Sequence, residues 1–231
     1  MINIDVADPA VANARPVKLG PRDAGATAYG SRAYRVAECA IALVALTFLA
    51  PLCLIVALAI KAQDGGPVIF AHRRIGLGAR TFSCLKFRSM AIDADARLQR
   101  LLEADPDARR EWEQDHKLKR DPRITRLGRF LRQSSLDEVP QLINVLRGEM
   151  SLVGPRPIVQ AEIGRYGRRF AAYCSVRPGI TGLWQVNGRN NVTYQRRVAL
   201  DTLYAQNRTV LLDLKILAAT IPAVMLRRGS Y

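Results

Sequence analysis

A stretch of 22 residues from Cys39 to Ile60 contains no charged side chain, and it limits the possible folds more strongly than any other segment. As an α-helix it would be about 33 Å long, enough to cross the hydrocarbon core of a bilayer, which is about 30 Å thick. Pro51 lies mid-stretch, where a proline removes a helical hydrogen bond and favours a kink. The sequence therefore predicts a membrane-embedded helix with a kink near Pro51.

Three kinds of segment fit this stretch: a signal peptide, a spanning helix, and a re-entrant helix that returns to the face it entered. Ala57-Leu58-Ala59 mimics a cleavage site, but the stretch is too long and begins too late for a signal peptide. Basic residues flank both ends, whereas spanning helices normally carry their excess of Lys and Arg on one side. This symmetry suits two cytoplasmic ends, but it leaves the spanning and re-entrant alternatives open. The flanking residues are Arg32, Arg35, Lys61, Arg73, Arg74 and Arg80.

The chain carries a large positive charge, since 35 lysine and arginine residues face 20 aspartate and glutamate residues, a net charge of +15. Such a protein favours phosphate-bearing partners: nucleotides, nucleic acid or an anionic membrane surface. Aromatic residues are only 6% of the chain, which weakens the case for a nucleic-acid platform built on base stacking. The four cysteines form no CxxC pair, so we expect a reduced, cytoplasmic setting.

The rest of the chain predicts a tail followed by a mixed domain. Residues 1–31 are rich in Ala, Gly and Pro and predict a flexible tail. Two β-prone segments separated by glycines predict a β-hairpin within residues 67–90. Residues 92–118 predict two charged helices broken at Asp105-Pro106, and residues 209–226 predict an amphipathic helix at the membrane interface. We interpret Asp93-Ala94-Asp95 as solvated surface, although it has the form of a metal-binding DxD motif.

Seven basic residues lie between Lys117 and Arg132, with Asp121 as the only acid among them. Arg123, Arg126 and Arg129 recur every three residues and would form a stripe if this segment is helical. Such a stripe is either a solvated or membrane-facing surface or a wall that binds phosphate. The sequence leaves both interpretations open.

Two adjacent carboxylates, Asp137 and Glu138, follow this basic segment. Ser135 and Glu138 have the spacing of a capping box, in which Glu138 would only start a helix. If the helix instead starts nearer Asp137, Pro140 falls in its first turn, where proline is tolerated. The two carboxylates could then approach one metal ion and one phosphorus atom from different directions.

Two rigid loops downstream carry arginines. Pro155 and Pro157 hold Arg156 in a stiff turn, either as ordinary surface or as a phosphate ligand that loses little freedom on binding. The second loop, residues 177–190, is rich in glycine, which lets the backbone approach a ligand closely. Arg177 and Arg189 are candidates for a common pocket, although their convergence does not follow from the sequence.

Five motifs in a fixed order complete the pattern, and together they resemble the bacterial sugar transferases. These are the monotopic phosphoglycosyl transferases that start exopolysaccharides and related glycans, and the resemblance covers about residues 32–228. The motifs are Lys86-Phe87-Arg88-Ser89-Met90, Asp121-Pro122-Arg123-Ile124-Thr125, Ser135-Leu136-Asp137-Glu138-Val139-Pro140-Gln141, Ser151-Leu152-Val153-Gly154-Pro155-Arg156-Pro157 and the segment from Arg177 to Arg189.

The resemblance implies a reaction in which a sugar 1-phosphate moves from a UDP-sugar to undecaprenyl phosphate and UMP is released. Asp137 would be the nucleophile that forms a covalent phosphosugar intermediate, and Glu138 would hold Mg²⁺. Arg156 would contact the nucleotide phosphate, and Arg189 matches an active-site arginine. Weaker matches to substrate-binding positions are Lys86, Arg88 and Arg132. The Leu183-Trp184-Gln185 sequence resembles hexose-transferring members that begin exopolysaccharides, so we expect UDP-galactose or UDP-glucose as the donor.

The resemblance also implies the architecture, an α-rich α+β monotopic membrane protein with a small β-hairpin and interfacial amphipathic helices. Residues 32–62 would form a re-entrant helix broken near Pro51, with both ends cytoplasmic. Residues 63–231 would form the catalytic domain on the cytoplasmic face of the bacterial inner membrane. We expect UDP-sugar, undecaprenyl phosphate, membrane lipid and other polysaccharide-assembly enzymes as partners, and no nucleic acid.

Two alternatives remain at this stage. One is a membrane-tethered basic protein that binds anionic lipid or nucleic acid without catalysis, with no dependence on Asp137 or Glu138. The other is a glycosyltransferase with a spanning helix that uses Asp93 and Asp95 and releases UDP rather than UMP.

Overall fold

The computed structural model describes residues 31–115, 118, 120–188 and 192–225. The predicted tail lies outside these ranges except for Ser31. The described chain is helix-rich with two small two-stranded sheets, as expected of an α-rich α+β fold. The helices are α1 (Arg32–Asp64), α2 (Ala94–Ala104), α3 (Pro106–Asp115), α4 (Arg126–Ser134), α5 (Gln141–Leu146), α6 (Ile163–Tyr166), α7 (Phe170–Cys174), α8 (Leu183–Val186), α9 (Tyr194–Asn207) and α10 (Val210–Met225). The strands are β1 (Ile69–Ile75), β2 (Thr81–Phe87), β3 (Ser151–Val153) and β4 (Gly179–Thr181).

Helix α1 is continuous over 33 residues, and at 1.5 Å per residue it is about 50 Å long. Ser31 caps its start, where the Ser31 hydroxyl accepts a hydrogen bond from the Tyr34 N–H at 3.1 Å, and Gly65 with a φ of 70° ends it. Pro51 lies inside the helix and does not end it, so the break predicted there takes at most the form of a bend. Within the described ranges, α1 is the one helix long and apolar enough to cross a membrane.

Helix α1 packs on the rest of the chain along one face. In its first half, Ala42 is fully buried in the main core, beside helices α5, α8 and α10. In its second half, Val56 and Ile60 pack against Phe87 of β2 and Leu131 of α4. Both halves therefore contact the same folded domain. The other face leaves large apolar side chains exposed, among them Val44, Phe48, Ile55 and Leu58.

Carboxylate contacts fix the two ends of α1, one through the buried Glu38 and the other through the exposed Asp64, whose partner Arg88 is buried. Near its start, buried Glu38 accepts hydrogen bonds from the Ser151 hydroxyl and, at 3.0 Å, from the Leu152 N–H. At its end, Asp64 pairs with the guanidinium of Arg88, directly after β2. Because a buried charge is costly unless it is paired, these contacts hold α1 in one register against the domain.

The predicted β-hairpin is confirmed, with β1 and β2 antiparallel over their full lengths. Phe70 lies opposite Lys86, His72 opposite Cys84, and Arg74 opposite Phe82. Since directly opposed residues share a face of a sheet, Arg74 and Lys86 lie on the same side of the hairpin.

The charged segment after the hairpin forms α2 and α3, which meet at Asp105 as predicted. Helix α4 begins only at Arg126, capped by Thr125, so the condition for a stripe of all three arginines on one helix is not met. Arg123 precedes α4, pairs with Asp121 at 2.7 Å and lies over the ring of Trp112.

The predicted C-terminal helix is present as α10. It buries Asp213 and Ile216 against the domain and exposes Leu211, Leu214 and Ile221. The helix is therefore present, but it is apolar on its exposed face as well as in the core, and its amphipathic character and its position at a membrane interface stay predictions.

Candidate active site

The two adjacent carboxylates lie in a tight turn between α4 and α5. Ser135 adopts a left-handed conformation with a φ of 58°, a single 3₁₀ turn covers Leu136–Glu138, and α5 begins after Pro140. The Ser135 side chain makes no capping hydrogen bond, so the capping-box interpretation of Glu138 is wrong. The reversal at Ser135 turns Asp137 and Glu138 towards the hairpin instead.

Lys86 of β2 lies between the two carboxylates. Its Nζ is 2.7 Å from Glu138 Oε1 and 3.8 Å from Asp137 Oδ2. Arg156 approaches from the other side, with Nη1 at 3.6 Å from the same Glu138 oxygen. The structure thus brings together four residues predicted from separate motifs: Asp137, Glu138, Lys86 and Arg156.

A buried asparagine fixes this geometry. Asn144 of α5 is fully buried, and its Oδ1 accepts a hydrogen bond from the Leu85 N–H at 2.9 Å. Its Nδ2 donates to the Ser83 carbonyl at 2.8 Å. These bonds tie β2 to α5, so the position of Lys86 relative to Asp137 depends on the packing of the two elements rather than on a mobile loop.

The two rigid loops predicted from the sequence pack backbone against backbone. The Gly179 N–H donates to the Pro155 carbonyl at 2.8 Å, and the Gly154 N–H donates to the Thr181 carbonyl at 2.9 Å. A Cβ atom at Gly179 would overlap the Gly154 nitrogen, so only glycine permits this approach. The contact places Arg156 at the mouth of the site.

A polar pocket opens beside Glu138. Three cations, Arg74, Lys86 and Arg156, line it together with this one carboxylate, and the excess of positive charge suits a phosphate-bearing ligand. The other lining residues are Cys84, Gln141, Pro157, Gly179 and Ile180.

Asp137 lies at the base of this arrangement and is only 8% exposed. Burial raises the pKa of its carboxyl above the ordinary value, and the neighbouring Glu138 adds to that increase. Attraction to Lys86, Arg132 and Arg156 acts in the opposite direction. The carboxylate is therefore poorly solvated but surrounded by cations, as suits a nucleophile that attacks an anionic phosphate.

The other predicted substrate-binding arginines lie at different distances from this centre. Arg132 donates through Nε to the Ser89 hydroxyl at 2.9 Å and is near enough to lower the pKa of Asp137. Arg88 pairs with Asp64 at the end of α1. Arg177 does not line the pocket, and its Nε donates to the Gly148 carbonyl at 2.9 Å. Arg189 lies outside the described residues.

Sequence reasoning missed Arg74, which was interpreted only as a membrane flank. Side chains alternate between the two faces of β1, and the register of the hairpin places Arg74 on the same face as Lys86. This alternation would have revealed Arg74 as a neighbour of the site. Asn144 carried no signal in the sequence, since it acts through backbone groups of a distant strand.

We predict that Gly179→Ala destabilises the protein by about 2–3 kcal/mol, because the new methyl group would force the two loops apart. The matched control is Gly164→Ala in α6, where an added Cβ meets no atom within 4 Å. The control is expected to be neutral or slightly stabilising, since alanine favours helix. The free energy of unfolding of Gly179→Ala and of Gly164→Ala is measured by equilibrium unfolding in detergent micelles. Equal unfolding midpoints for the two variants would contradict the close approach of the loops.

Comparison of the sequence with known proteins identifies a family and several relatives of this chain. Residues 29–227 match the bacterial sugar transferase family. The exopolysaccharide production protein ExoY of Sinorhizobium fredii is 49% identical over 212 residues, covering 91% of this chain and 94% of that protein. An undecaprenyl-phosphate galactose phosphotransferase of Salmonella typhimurium is 53% identical over 169 residues, covering 73% of this chain and 36% of that protein. A UDP-glucose:undecaprenyl-phosphate glucose-1-phosphate transferase of Caulobacter vibrioides is 40% identical over 205 residues, covering 85% and 71%. The chain therefore belongs to the bacterial sugar transferase family.

Proposed function

We propose that this sugar transferase moves a hexose 1-phosphate from a UDP-sugar to undecaprenyl phosphate, releasing UMP, as the first membrane step of exopolysaccharide synthesis. The observation that carries the proposal is the buried Asp137 carboxylate, which lies beside a pocket lined by three cations. Relatives named for undecaprenyl-phosphate galactose and glucose transfer support the acceptor and a hexose donor.

The reaction divides into two displacements at one phosphorus atom. In the first, an Asp137 oxygen attacks the β-phosphorus of the UDP-sugar, a P–O bond to the leaving UMP breaks, and an acyl phosphate carrying the sugar remains. In the second, an oxygen of undecaprenyl phosphate attacks that phosphorus, which forms the lipid diphosphate sugar and frees the carboxylate. Lys86 and Arg156 stabilise the negative charge on the phosphoryl oxygens during both steps.

A magnesium ion fits the residues present. Mg²⁺ prefers oxygen ligands and commonly takes one or two carboxylates, completing its shell with water and substrate phosphates. Glu138 supplies one such carboxylate. Since the described part of the chain has no group of three or more potential metal-binding side chains, water and substrate phosphate would supply most of the remaining ligands. Glu138 would hold the ion through an oxygen that now contacts Lys86, and the ion's charge would offset that of the pyrophosphate and of UMP.

The packing of α1 supports a monotopic arrangement at the inner membrane. A straight spanning helix would separate its two ends by the whole bilayer, yet Glu38 and Asp64 both contact the same domain. The exposed apolar faces of α1 and α10 offer surfaces for lipid. We infer that both ends of α1 lie on the cytoplasmic side, so that the site meets a soluble donor and a lipid acceptor at the membrane surface.

The proposal predicts that Asp137→Asn abolishes UMP release, because an amide is a poor nucleophile for phosphorus. The assay uses the detergent-purified chain with Mg²⁺, undecaprenyl phosphate, and UDP-galactose or UDP-glucose. The matched control is Asp95→Asn on α2, which is expected to retain the wild-type rate.

Three other outcomes would contradict the proposal in different ways. Full turnover in Asp137→Asn would remove Asp137 as the nucleophile. Release of UDP instead of UMP, together with loss of this release in Asp95→Asn, would favour the glycosyltransferase with a spanning helix. Binding of anionic lipid without any nucleotide release would favour the non-catalytic basic protein.

The pH dependence of the rate tests the state of the nucleophile. The reaction needs the ionised carboxyl of Asp137, so the activity is lost as the pH falls through the pKa of this group. Burial raises that pKa above the ordinary value. Lys86→Met removes an attraction that lowers this pKa, and the acid limb of kcat/KM is expected to move to higher pH. Lys61→Met, an exposed control with the same change of charge, is expected to leave the limb in place. An unshifted limb in Lys86→Met would contradict the coupling.

The topology of α1 is tested by cysteine labelling in oriented membrane vesicles, after the four native cysteines are replaced by serine. Arg32→Cys and Gln63→Cys place exposed thiols at the two ends of the helix. A membrane-impermeant maleimide is expected to label both thiols from the cytoplasmic side only. Labelling of the two thiols from opposite sides would establish a spanning helix.

A further inference from the structure

Arg74 lines the pocket, although the sequence analysis gave it no role in substrate binding or catalysis. It lies on β1, on the same hairpin face as Lys86, and lines the pocket together with Arg156. The contacts found for it among the described residues involve only Nη1, which donates to the Pro157 carbonyl at 3.2 Å and lies 3.8 Å from Glu162 Oε2. Its Nε and Nη2 donors therefore remain available for a ligand in the pocket.

Glu162 connects Arg74 to the loop that carries Arg156. Its Oε2 accepts a hydrogen bond from the Val159 N–H at 2.9 Å, two residues beyond Pro157. One carboxylate thus holds the backbone after the Pro155–Pro157 turn and faces the guanidinium of Arg74. The orientation of Arg74 and that of the loop depend on the same group.

Glu162 is in turn held from the protein interior. Its Oε1 lies 3.4 Å from Arg197 Nη1 and accepts a hydrogen bond from the Tyr194 hydroxyl at 3.2 Å. The Arg197 guanidinium lies over the Trp184 ring, 5.0 Å from its centroid, and its Nε is 3.8 Å from fully buried Asp201. Because buried charges are stable only with partners, this chain of contacts fixes Glu162 independently of Arg74, and Glu162 can hold Nη1 while Nε and Nη2 face the pocket.

We propose that Arg74 is a substrate-binding residue that donates to a phosphate oxygen of the UDP-sugar, and that Glu162 is the residue that positions it. The inference rests on the proposed function, since it assumes a nucleotide diphosphate in the pocket. A guanidinium matches phosphate oxygens through parallel N–H groups, and Nε and Nη2 form such a pair. The diphosphate of a UDP-sugar carries two negative charges, and both Lys86 and Arg156 already contact the Glu138 carboxylate. Arg74 supplies a further cation for the diphosphate.

The test measures kcat and KM for UDP-galactose and UDP-glucose by UMP release from the full chain, with saturating undecaprenyl phosphate. Arg74→Gln is expected to raise KM for the donor by about tenfold and to change kcat less, because the contact is made in the bound ground state. Arg74→Lys is expected to recover part of the affinity. The matched control is Arg73→Gln, which removes the same charge from the neighbouring, exposed position on the opposite hairpin face, and its KM is expected to match the wild type.

Glu162→Gln separates positioning from simple stability. The glutamine amide oxygen still accepts from the Val159 N–H, so the unfolding midpoint is expected to change little. The side chain no longer carries the charge that holds Arg74, so KM for the donor is expected to rise. Equal KM values for Arg74→Gln and Arg73→Gln would overturn the role of Arg74, and a wild-type KM in Glu162→Gln would overturn that of Glu162. If the wild-type protein itself releases no UMP, the proposed function fails first, so the two failures are distinguishable.

Discussion

The contact of α1 with the folded domain at both of its ends is the constraint on which the site depends. Apolar packing of α1 on the domain is supplemented near its two ends by hydrogen bonds to the buried Glu38 and by the pair between the exposed Asp64 and the buried Arg88. Between these anchors α1 packs on α5, β2 and α4, the elements that carry or precede the catalytic turn. The apolar helix α1 and the turn that carries Asp137 are therefore parts of one packed unit, and the proposed reaction on a lipid phosphate would take place at a fixed depth.

In the candidate site, burial and neighbouring charges act in opposite directions on the carboxyl of Asp137. Burial disfavours the ionised form of Asp137, while Lys86 and the two nearby arginines, Arg132 and Arg156, favour it. The cations thus limit the rise in pKa that burial causes, and they favour the ionised, poorly solvated carboxylate that the proposed reaction requires. The pocket cations also attract the anionic donor, so the same groups serve the nucleophile and its substrate.

Much of this arrangement follows from local sequence signals. The hairpin, the break before Pro106 and the presence of the C-terminal helix were predictable because glycine, proline and periodicity act over a few residues. The roles of Arg74 and Asn144 were not, since they depend on strand register and on contacts between distant segments. The capping-box alternative failed because Ser135 ends α4 in a left-handed conformation and its side chain makes no capping hydrogen bond, which the spacing of Ser135 and Glu138 does not reveal.

The claim at the centre of this account is a covalent bond between Asp137 and the phosphosugar. Its most direct test is the mass of the intact protein after incubation with Mg²⁺ and UDP-galactose or UDP-glucose in the absence of a lipid acceptor. The account predicts an added hexose phosphate, located on the peptide that contains Asp137 and removed when undecaprenyl phosphate is supplied. An unmodified protein that nevertheless turns over when the acceptor is added, or an adduct on another residue, would contradict it.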